Sequence, residues 1–531
     1  MWQLEYVLAD NLPRLAWCAV LTKNENTVVV KHGPWLATTD RGFVEGAWSG
    51  PYPEMAFPHA GTFTGSGGLV TPTGLLLATP TNSVEALYVL RLGTKLHYSN
   101  SLPFVLASAG DELDRGYPYY DLDLTSMAFG LAHCCRRIPT RGHNWVQLYY
   151  YCNCLIDQDL SVRKLRKRQL GPFRNYAEYR AVLAEQVALT IQNGSHPQRA
   201  IRYKALSTIS TGYDSVAAAV LAKEAGCTES ITFATARDTL GVERDDSGKA
   251  IGEILGLDVT EHEPWAYRSR GDLPEAEFVA TGGGGGSVIF TSAETWLSGR
   301  VLVTGNYGGE AWERVGNKGG TGMVSFDSAG ADLAQFRMRV GFLHLPVGSI
   351  GYSAYTSIQA ITHSAEMRPS SLERQQYDRP IPRRIVEAAG VPRELFGQSK
   401  KAAARSLKYC NPYPMMDPDL ERVMAPASYQ HFQRWAQDRK LYRSRLDRLT
   451  FAAMHTMYRF NLRVIQNRSV RAAARHLGVG VPAAPWLPMR FRKRRTLHRL
   501  LFHWGMEQVR PRYIGWPAQD APKMAAYSLL Q

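Results

Sequence analysis

Residues 210–215 combine hydroxyl, glycine and carboxylate groups in a spacing that suits phosphate binding. They lie between a predicted strand and a predicted helix, and backbone N–H groups at the start of a helix attract anions. Ser210, Thr211 and Ser215 add hydroxyl donors, and Gly212 leaves the backbone open to a close approach. The pattern predicts an anion-binding loop, and an ordinary helix N-cap is the alternative.

Asp214 is the unusual member of this loop, because a carboxylate repels phosphate unless a cation lies between them. A carboxylate oxygen beside a phosphate site is typical of Mg²⁺ binding. Asp214 is therefore predicted to bind a Mg²⁺ ion that bridges the protein and a pyrophosphate group.

Strands and helices alternate around this loop. Predicted strands at 205–209, 230–235 and 301–304 are separated by predicted helices at 214–225 and 250–255, each helix ending at a glycine. This alternation predicts an α/β fold with a central parallel sheet. Ligands of such sheets bind at the carboxyl ends of the strands, where the loop is expected to lie.

The loop Ser-Thr-Gly-Tyr-Asp-Ser is similar to the Ser-Gly-Gly-x-Asp-Ser loop of the ATP pyrophosphatase superfamily. Stretches at 232–235, 245–256, 302–310 and 397–405 follow in the order and spacing found in asparagine synthetases. Residues 205–406 as a whole therefore resemble the synthetase domain of that family. The resemblance implies an ATP pyrophosphatase fold for the parallel sheet.

The resemblance also implies the roles of individual residues. Its ATP-binding set is Ser210, Thr211, Gly212, Tyr213, Asp214, Ser215, Phe233, Thr235 and Gly305. Asp214 and Glu310 are the implied Mg²⁺ ligands, and Lys401, Lys400 and Glu310 are the catalytic candidates. A preorganised lysine stabilises charge on the phosphate and on a tetrahedral intermediate. A solvated helix start is the alternative for the two lysines.

Three departures from the family pattern bear on catalysis. Gly309 stands where most relatives have a metal-binding Asp, and Asn306 where they have Asp, Glu or Tyr. Thr211 replaces a glycine of the loop. A weaker or rearranged Mg²⁺ site is expected, because pyrophosphate charge needs a cation. Both an active enzyme and a degenerate homologue remain open.

The first 165 residues are rich in short β-type segments separated by Gly, Pro, Asn and Asp. Residues 96–107, followed by Asp121 and Asp123, resemble the end of the family's N-terminal glutaminase domain, an Ntn-type sandwich. That domain uses a terminal cysteine as its nucleophile, whereas this chain has Trp2 and no cysteine before Cys18. A retained sandwich without glutaminase activity is predicted.

Three domains are expected in a chain of this length: a degenerate glutaminase-like domain at 1–165, a synthetase-like domain at 175–415 and a basic helical extension at 416–531. A basic, polar joint at 161–174 is the predicted boundary between the first two. Helices are predicted at 429–446, 451–465 and 472–477 in the extension.

Five glycines at 282–286 predict a flexible lid or linker, with a phosphate cradle as the alternative.

The net charge of +15 is concentrated near the C-terminus. Six basic residues and no acid occur between 489 and 499. This cluster, with the basic positions up to 512, predicts a polyanion or protein partner for the region 490–512. A solvated helix face beside an apolar stripe is the equal alternative. Interleaved aromatic residues favour nucleic acid: Trp486, Phe491, Phe502, Trp504 and Tyr513.

The composition predicts a soluble, cytoplasmic protein with no membrane span and no secretory signal. Seven cysteines do not make a disulfide scaffold. Cys134, Cys135, Cys152 and Cys154, with His133, are predicted to be structural, and a metal site is the alternative.

The predicted function is an ATP-dependent ligase that adenylates a carboxylate substrate and joins it to an amine substrate without hydrolysing glutamine. A catalytically degenerate binding or scaffold protein is the second hypothesis, supported by Gly309, Asn306 and Trp2. A nucleic-acid-modifying enzyme, of the kind that acts on tRNA, is the third.

Overall fold

The computed structural model describes residues 2–117, 119–132, 134–314, 330–372, 377–405, 407, 418–439, 467, 469–470, 472–473 and 497–514. The protein has a mixed α/β fold with four sheets in this part of the chain. The predicted helix at 451–465, most of that at 472–477 and the basic residues at 490–495 lie outside the described residues.

Two largely antiparallel sheets form the N-terminal region. The first has the order β1 (Gln3–Leu8), β3 (Thr27–His32), β2 (Trp17–Thr22), β9 (Lys95–Ser99), β8 (Leu87–Leu92), β11 (Trp145–Tyr149) and β10 (Arg137–Pro139). The second has the order β13 (Val162–Leu165), β12 (Asn153–Ile156), β7 (Gly74–Ala78), β6 (Phe63–Thr71), β5 (Gly42–Trp48) and β4 (Ala37–Thr39).

One buried apolar cluster joins these two sheets. It contains Val28 and Leu96 of the first sheet with Leu75 and Ile156 of the second. Alternate residues of a strand point to opposite faces, so each sheet presents one apolar face to this cluster. The predicted β-rich region is confirmed, and its Ntn-type assignment stays a prediction.

The predicted joint at 161–174 is wrong in its first part. Strand β13 begins at Val162 and pairs antiparallel with β12, placing Leu165 opposite Asn153. The charged side chains of this edge strand hid its β character, since Lys and Arg are common on sheet edges.

The predicted parallel sheet is present. Its five strands are all parallel and follow the order β18 (Asp258–His262), β15 (Glu229–Phe233), β14 (Lys204–Thr208), β19 (Arg300–Thr304) and β20 (Leu343–Pro346). A small antiparallel sheet consists of β17 (Glu243–Asp245), β16 (Thr235–Asp238) and β21 (Lys401–Ala402). Strand β16 follows β15 almost directly, so β21 is held beside the end of the parallel sheet.

The α-helices of the described chain surround these sheets. They are α1 (Leu102–Ala109), α2 (Tyr120–Thr125), α3 (Tyr176–Gly194), α4 (Tyr213–Glu224), α5 (Lys249–Leu255), α6 (Glu275–Val279), α7 (Glu294–Leu297), α8 (Gly308–Trp312), α9 (Ala334–Val340), α10 (Tyr355–Thr362), α11 (Pro380–Ala388), α12 (Pro418–Val423), α13 (Pro426–Asp438) and α14 (Leu497–Val509). Within the described residues, none of them is both long and apolar enough to cross a membrane.

Helix α4 positions the candidate loop. Its interior is a run of small and apolar residues that are fully or almost fully buried between the parallel sheet and α11. Gly212 is its N-cap, so the loop at 210–215 connects the carboxyl end of β14 to the first turn of α4. This is the strand-to-helix connection that the sequence predicted.

Candidate active site

The loop at 210–215 is closed by its own side chains. The Ser210 and Ser215 hydroxyl oxygens are 2.7 Å apart, and the backbone N–H of Gly212 donates to Ser210 Oγ at 3.1 Å. A β-carbon built on Gly212 comes no closer than 3.4 Å to another heavy atom. The backbone at Gly212 is therefore uncrowded, with the hydroxyls of Ser210, Tyr377 and Ser215 as its nearest neighbours.

The turn after β19 packs directly against the first turn of α4. A β-carbon on Gly305 lies 2.3 Å from the carbonyl carbon of Asp214, and one on Gly308 lies 2.5 Å from Asp214 Cγ. Only glycine permits this approach. The predicted residue Gly305 is thus brought to the loop, where it sets the position of Asp214.

The carboxylate of Asp214 forms an ion pair with the buried guanidinium of Arg379. Arg379 also donates to Glu313 Oε2, from Nε at 2.8 Å and from Nη2 at 2.6 Å. Burial by itself lowers the pKa of Arg379, but the charges of Asp214 and Glu313 outweigh it and raise that pKa above its ordinary value. One fixed cation therefore neutralises the acid of the loop.

Arg379 also limits the space at position 309. A β-carbon on Gly309 lies 3.2 Å from Arg379 Nη2, so a side chain at this position would crowd the guanidinium. Sequence reasoning missed Arg379, because nothing in the sequence around it marks a partner 165 positions away.

The acids of this region fit a Mg²⁺ ion only in part. Asp214 Oδ2 is taken by Arg379, while Oδ1 is buried with no hydrogen-bond partner among the described residues. Glu310 lies in the first turn of α8. Burial of Tyr355 raises the pKa of that residue, and the charge of Glu310 raises it further. The described residues contain no group of three or more potential metal ligands. Mg²⁺ usually needs only one or two carboxylates when phosphates complete its coordination. Asp214 Oδ1 can supply one such ligand.

Lys401 reaches the loop from β21. Its Nζ donates to Thr211 Oγ1 at 2.6 Å and to the Asp245 carbonyl at 2.7 Å, and it lies 3.4 Å from Asp246 Oδ1. The predicted lysine and the predicted loop, 190 positions apart, are therefore in direct contact. The alternative of a solvated helix start is wrong for Lys401, which lies in a short strand.

Asp246 is the second acid at the loop. Its Oδ1 accepts from both the N–H of Thr211, at 3.3 Å, and the Thr211 hydroxyl, at 2.5 Å. Burial raises the pKa of Asp246 above its ordinary value, against the hydrogen bond from Thr211 and the charge of Lys401. The Thr211 hydroxyl, predicted to face phosphate, is therefore committed to a carboxylate in this state. The acidic pair at 245–246 was the sequence signal for this contact.

Lys400 takes a different direction from Lys401. It is exposed, and its Nζ lies 5.7 Å from the centre of the Tyr377 ring. The Tyr377 hydroxyl is 3.8 Å from a β-carbon built on Gly212. Lys400 is thus near the loop through Tyr377 and makes no ion pair with a described acid.

Tyr213, predicted as a member of the ATP-binding loop, has its side chain in the core. Its ring is fully buried, packs against Tyr377 at 4.9 Å between ring centres and lies against Gly397. The position of a residue in a loop does not determine the direction of its side chain. Tyr213 is the first residue of α4, and its ring points into the core. Its backbone still belongs to the loop.

Phe233 and Thr235 lie where the second strand of the sheet ends. The half-buried Phe233 ring packs edge-on against Phe290, with ring centres 5.4 Å apart. The Thr235 hydroxyl donates to Glu243 Oε2 at 3.0 Å in the small antiparallel sheet. Both residues are therefore at the carboxyl edge of the sheet that the loop also occupies.

The C-terminal region differs from its prediction. Phe502, Trp504 and Tyr513 are almost fully buried, so they form no stacking surface for nucleic acid. Arg510 pairs with Glu112 and Arg512 with Glu277 of the same chain. Of the leucines in the apolar stripe of the alternative interpretation, Leu501 is fully buried and Leu500 is half-buried. The polyanion or protein partner of 490–512 stays a prediction.

The described cysteines are free thiols, and Cys134 and Cys154 are buried. They belong to no group of three metal ligands within the described residues. A comparison of the whole chain with protein-family models and with curated proteins finds no significant match.

Proposed function

We propose that this protein is an ATP-dependent ligase that adenylates a carboxylate and transfers the acyl group to an amine, with residues 175–415 as its synthetase unit. The observation that carries the proposal is the contact of Lys401 with Thr211 at the carboxyl end of the parallel sheet. This contact brings a cation to the proposed anion-binding loop, and both groups would support the transfer of an adenylyl group from ATP.

The loop is the proposed binding site of the pyrophosphate group. The N–H groups of the first turn of α4 point to the loop, and the hydroxyls of Ser210 and Ser215 flank it. A polyphosphate can take over the hydrogen bonds that these groups now make to one another. Phe233 and Thr235 are the residues proposed to hold the nucleoside.

The proposed reaction has two steps. A carboxylate oxygen of the substrate attacks the α-phosphorus of ATP, the bond to the β-phosphate oxygen breaks, and pyrophosphate leaves with that electron pair. An amine nitrogen then attacks the acyl carbon and loses a proton to solvent, and AMP leaves with the electrons of the C–O bond. The Lys401 ammonium is placed to stabilise the negative charge that develops on the phosphate in both steps.

Mg²⁺ belongs to the proposal as an ion that the nucleotide carries into the site. When bound, it would neutralise pyrophosphate charge, with Asp214 Oδ1 as its protein ligand. Arg379 fixes the other oxygen of Asp214 and supplies a permanent positive charge.

The amine does not come from glutamine in this proposal. Trp2 is almost fully buried, and its indole nitrogen donates to the Ile156 carbonyl at 3.3 Å. It is therefore a packing residue of the N-terminal region. Free ammonia or an amine of a second or the same substrate is the proposed acceptor.

ATP–pyrophosphate exchange tests the proposal. Exchange in the full chain with a panel of carboxylic acids is expected, and it should require Lys401. Formation of AMP and an amide on addition of an amine completes the test. Exchange without a carboxylate, or none with any acid in the panel or in cell extract, would contradict the ligase function.

A nucleotide-binding scaffold is the second candidate function. The ion pair of Asp214 with Arg379 favours it, because this pair already neutralises the acid that would hold the metal. Tight ATP binding with no AMP formed across the acid and amine panels is the result that this candidate predicts.

A further inference from the structure

A cavity of about 460 Å³ lies between the N-terminal region and the segment 400–404. Its size is that of a site for a small organic molecule. The glycine-rich loop at 282–286 forms part of its wall through Gly283, Gly284 and Gly286. This loop is fastened by hydrogen bonds from the N–H of Arg405 to Gly286 and from the N–H of Leu407 to Gly284.

The N-terminal wall of the cavity contains a group of apolar side chains: Val84, Ala86, Leu102, Leu124 and Met127. The polar residues of the same wall are Glu85, Tyr88, Asn100, Thr125 and Tyr150. The apolar side chains favour a ligand with a hydrocarbon body, because burial of apolar surface is favourable and a polar group facing them would lose its hydrogen bonds to water.

Three polar side chains of the lining are already paired within the protein: those of Asp332, Glu85 and Gln335. Both oxygens of Asp332 accept from Ser287, and both oxygens of Glu85 accept from Arg337. Gln335 donates to Ser101 and accepts from Tyr513. These contacts hold the wall in shape and commit the hydrogen bonds of these three side chains to the protein.

The side chain of Asn100, also in the lining, is hydrogen-bonded to the backbone of the N-terminal region. Its Oδ1 accepts from the backbone N–H of Trp17 at 3.0 Å, and its Nδ2 donates to the Leu15 carbonyl at 2.9 Å. The lining cation Lys400 is different, because it has no acid within ion-pair distance among the described residues.

The segment 400–404 separates the cavity from the loop at 210–215. Lys400, Ala402 and Ala404 line the cavity, whereas Lys401 donates to Thr211 on the other side. Successive side chains of an extended segment point in opposite directions, which accounts for this alternation. Lys400 thus lines the cavity, while its Nζ lies over the ring of Tyr377, whose hydroxyl is beside Gly212 of the loop.

We propose that the cavity binds the carboxylate substrate, that this substrate is an apolar monocarboxylic acid, and that Lys400 pairs with its carboxylate. The apolar side chains of the N-terminal wall receive the hydrocarbon body, and Lys400, the only cation among the described lining residues, receives the acid group. This inference rests on the proposed ligase function for the role of the acid, but the binding of the acid can be measured without turnover.

Calorimetric titration of the full chain with octanoate, octanamide and aspartate tests the cavity. Octanoate should bind at least tenfold more tightly than the amide and aspartate, because an ion pair and an apolar body are both needed. Lys400→Met should weaken octanoate about tenfold and leave octanamide unchanged. Ala402→Phe should weaken both ligands by filling the cavity. Lys23→Met, at an exposed lysine outside the cavity lining and with no ion pair to a described acid, is the matched control and should change neither.

Octanoate binding that is unchanged in Lys400→Met, or aspartate binding as tight as octanoate, would overturn the inference. Lys400-dependent binding of octanoate without ATP–pyrophosphate exchange would support the cavity and contradict the ligase function. ATP–pyrophosphate exchange with other acids, in a protein that does not bind octanoate, would support the ligase function and contradict the assignment of the cavity.

Discussion

Two carboxylate–cation pairs flank the candidate loop, and they are built differently. Asp214 pairs with Arg379, whose side chain is 2% exposed and is also held by Glu313. Asp246 pairs with Lys401, whose side chain is 14% exposed and whose ammonium also donates to Thr211. A guanidinium held by two acids is a fixed part of the core, whereas an ammonium at the rim can turn to a phosphate. The first pair therefore shapes the loop, and the second is available for chemistry.

Loss of Arg379 should have the largest effect on stability. Arg379→Met leaves two carboxylates without their cation, which should lower the free energy of unfolding by about 3–5 kcal/mol. Denaturant unfolding measures this change. Arg383→Met is the matched control, because Arg383 is as buried but its Nε and Nη2 have no hydrogen-bond partner among the described residues. An equal loss of unfolding free energy in both variants would show that the ion pair with Asp214 does not stabilise the fold more than burial of an arginine does.

Loss of Lys401 should act on the reaction and much less on the fold. Lys401→Met should lower the rate of ATP–pyrophosphate exchange about 100- to 1000-fold, the usual effect of removing one group that stabilises transition-state charge. Its unfolding free energy should fall by less than that of Arg379→Met. A Lys401→Met variant that exchanges at the wild-type rate would contradict the assignment.

Asp246 should restrain the loop in a pH-dependent way. Asp246→Asn releases Lys401 and removes one negative charge, so pyrophosphate should bind about tenfold more tightly at neutral pH. Because the pKa of Asp246 is raised, the wild-type carboxyl becomes neutral at a higher pH than an ordinary aspartate. The difference in affinity between variant and wild type should therefore shrink as the pH falls through that raised pKa. A difference that is constant with pH would show that the charge of Asp246 is not its cause.

Asp214 should have the smallest effect, with a sign that depends on Mg²⁺. Without Mg²⁺, Asp214→Asn should tighten pyrophosphate binding about threefold, since one repulsive charge is lost while Arg379 stays. With Mg²⁺, the variant should bind ATP more weakly than wild type, because a metal ligand is lost. Calorimetric titrations in EDTA and in Mg²⁺ compare the two states. Unchanged nucleotide affinity in Mg²⁺ would exclude Asp214 as a metal ligand.

The elements that hold the site could be predicted because each depends on local pattern. The strand before the loop, the helix after it and the glycine ends follow from spacing along a few residues. The contact of Lys401 with the loop was implied by a family resemblance, not by any local rule. Strand β13 was missed because its charged residues resemble a linker.

The partners of the site residues could not be predicted, because they depend on tertiary packing. Arg379 lies 165 positions from Asp214, and no periodicity links the two. Tyr213 was assigned from its place in the loop, but its side chain follows the buried face of α4. The C-terminal aromatic residues Phe502 and Trp504 were equally suited by type to a core or to a stacking surface.

Calorimetric titration of the wild-type chain and of Lys401→Met with Mg²⁺-pyrophosphate tests the central claim most directly. We predict saturable binding to the wild-type protein and affinity at least tenfold lower in the variant, because the ammonium beside Thr211 is expected to contact the anion. Absence of binding to the wild-type chain, or equal affinity of the two proteins, would contradict the assignment of residues 210–215 as a pyrophosphate site.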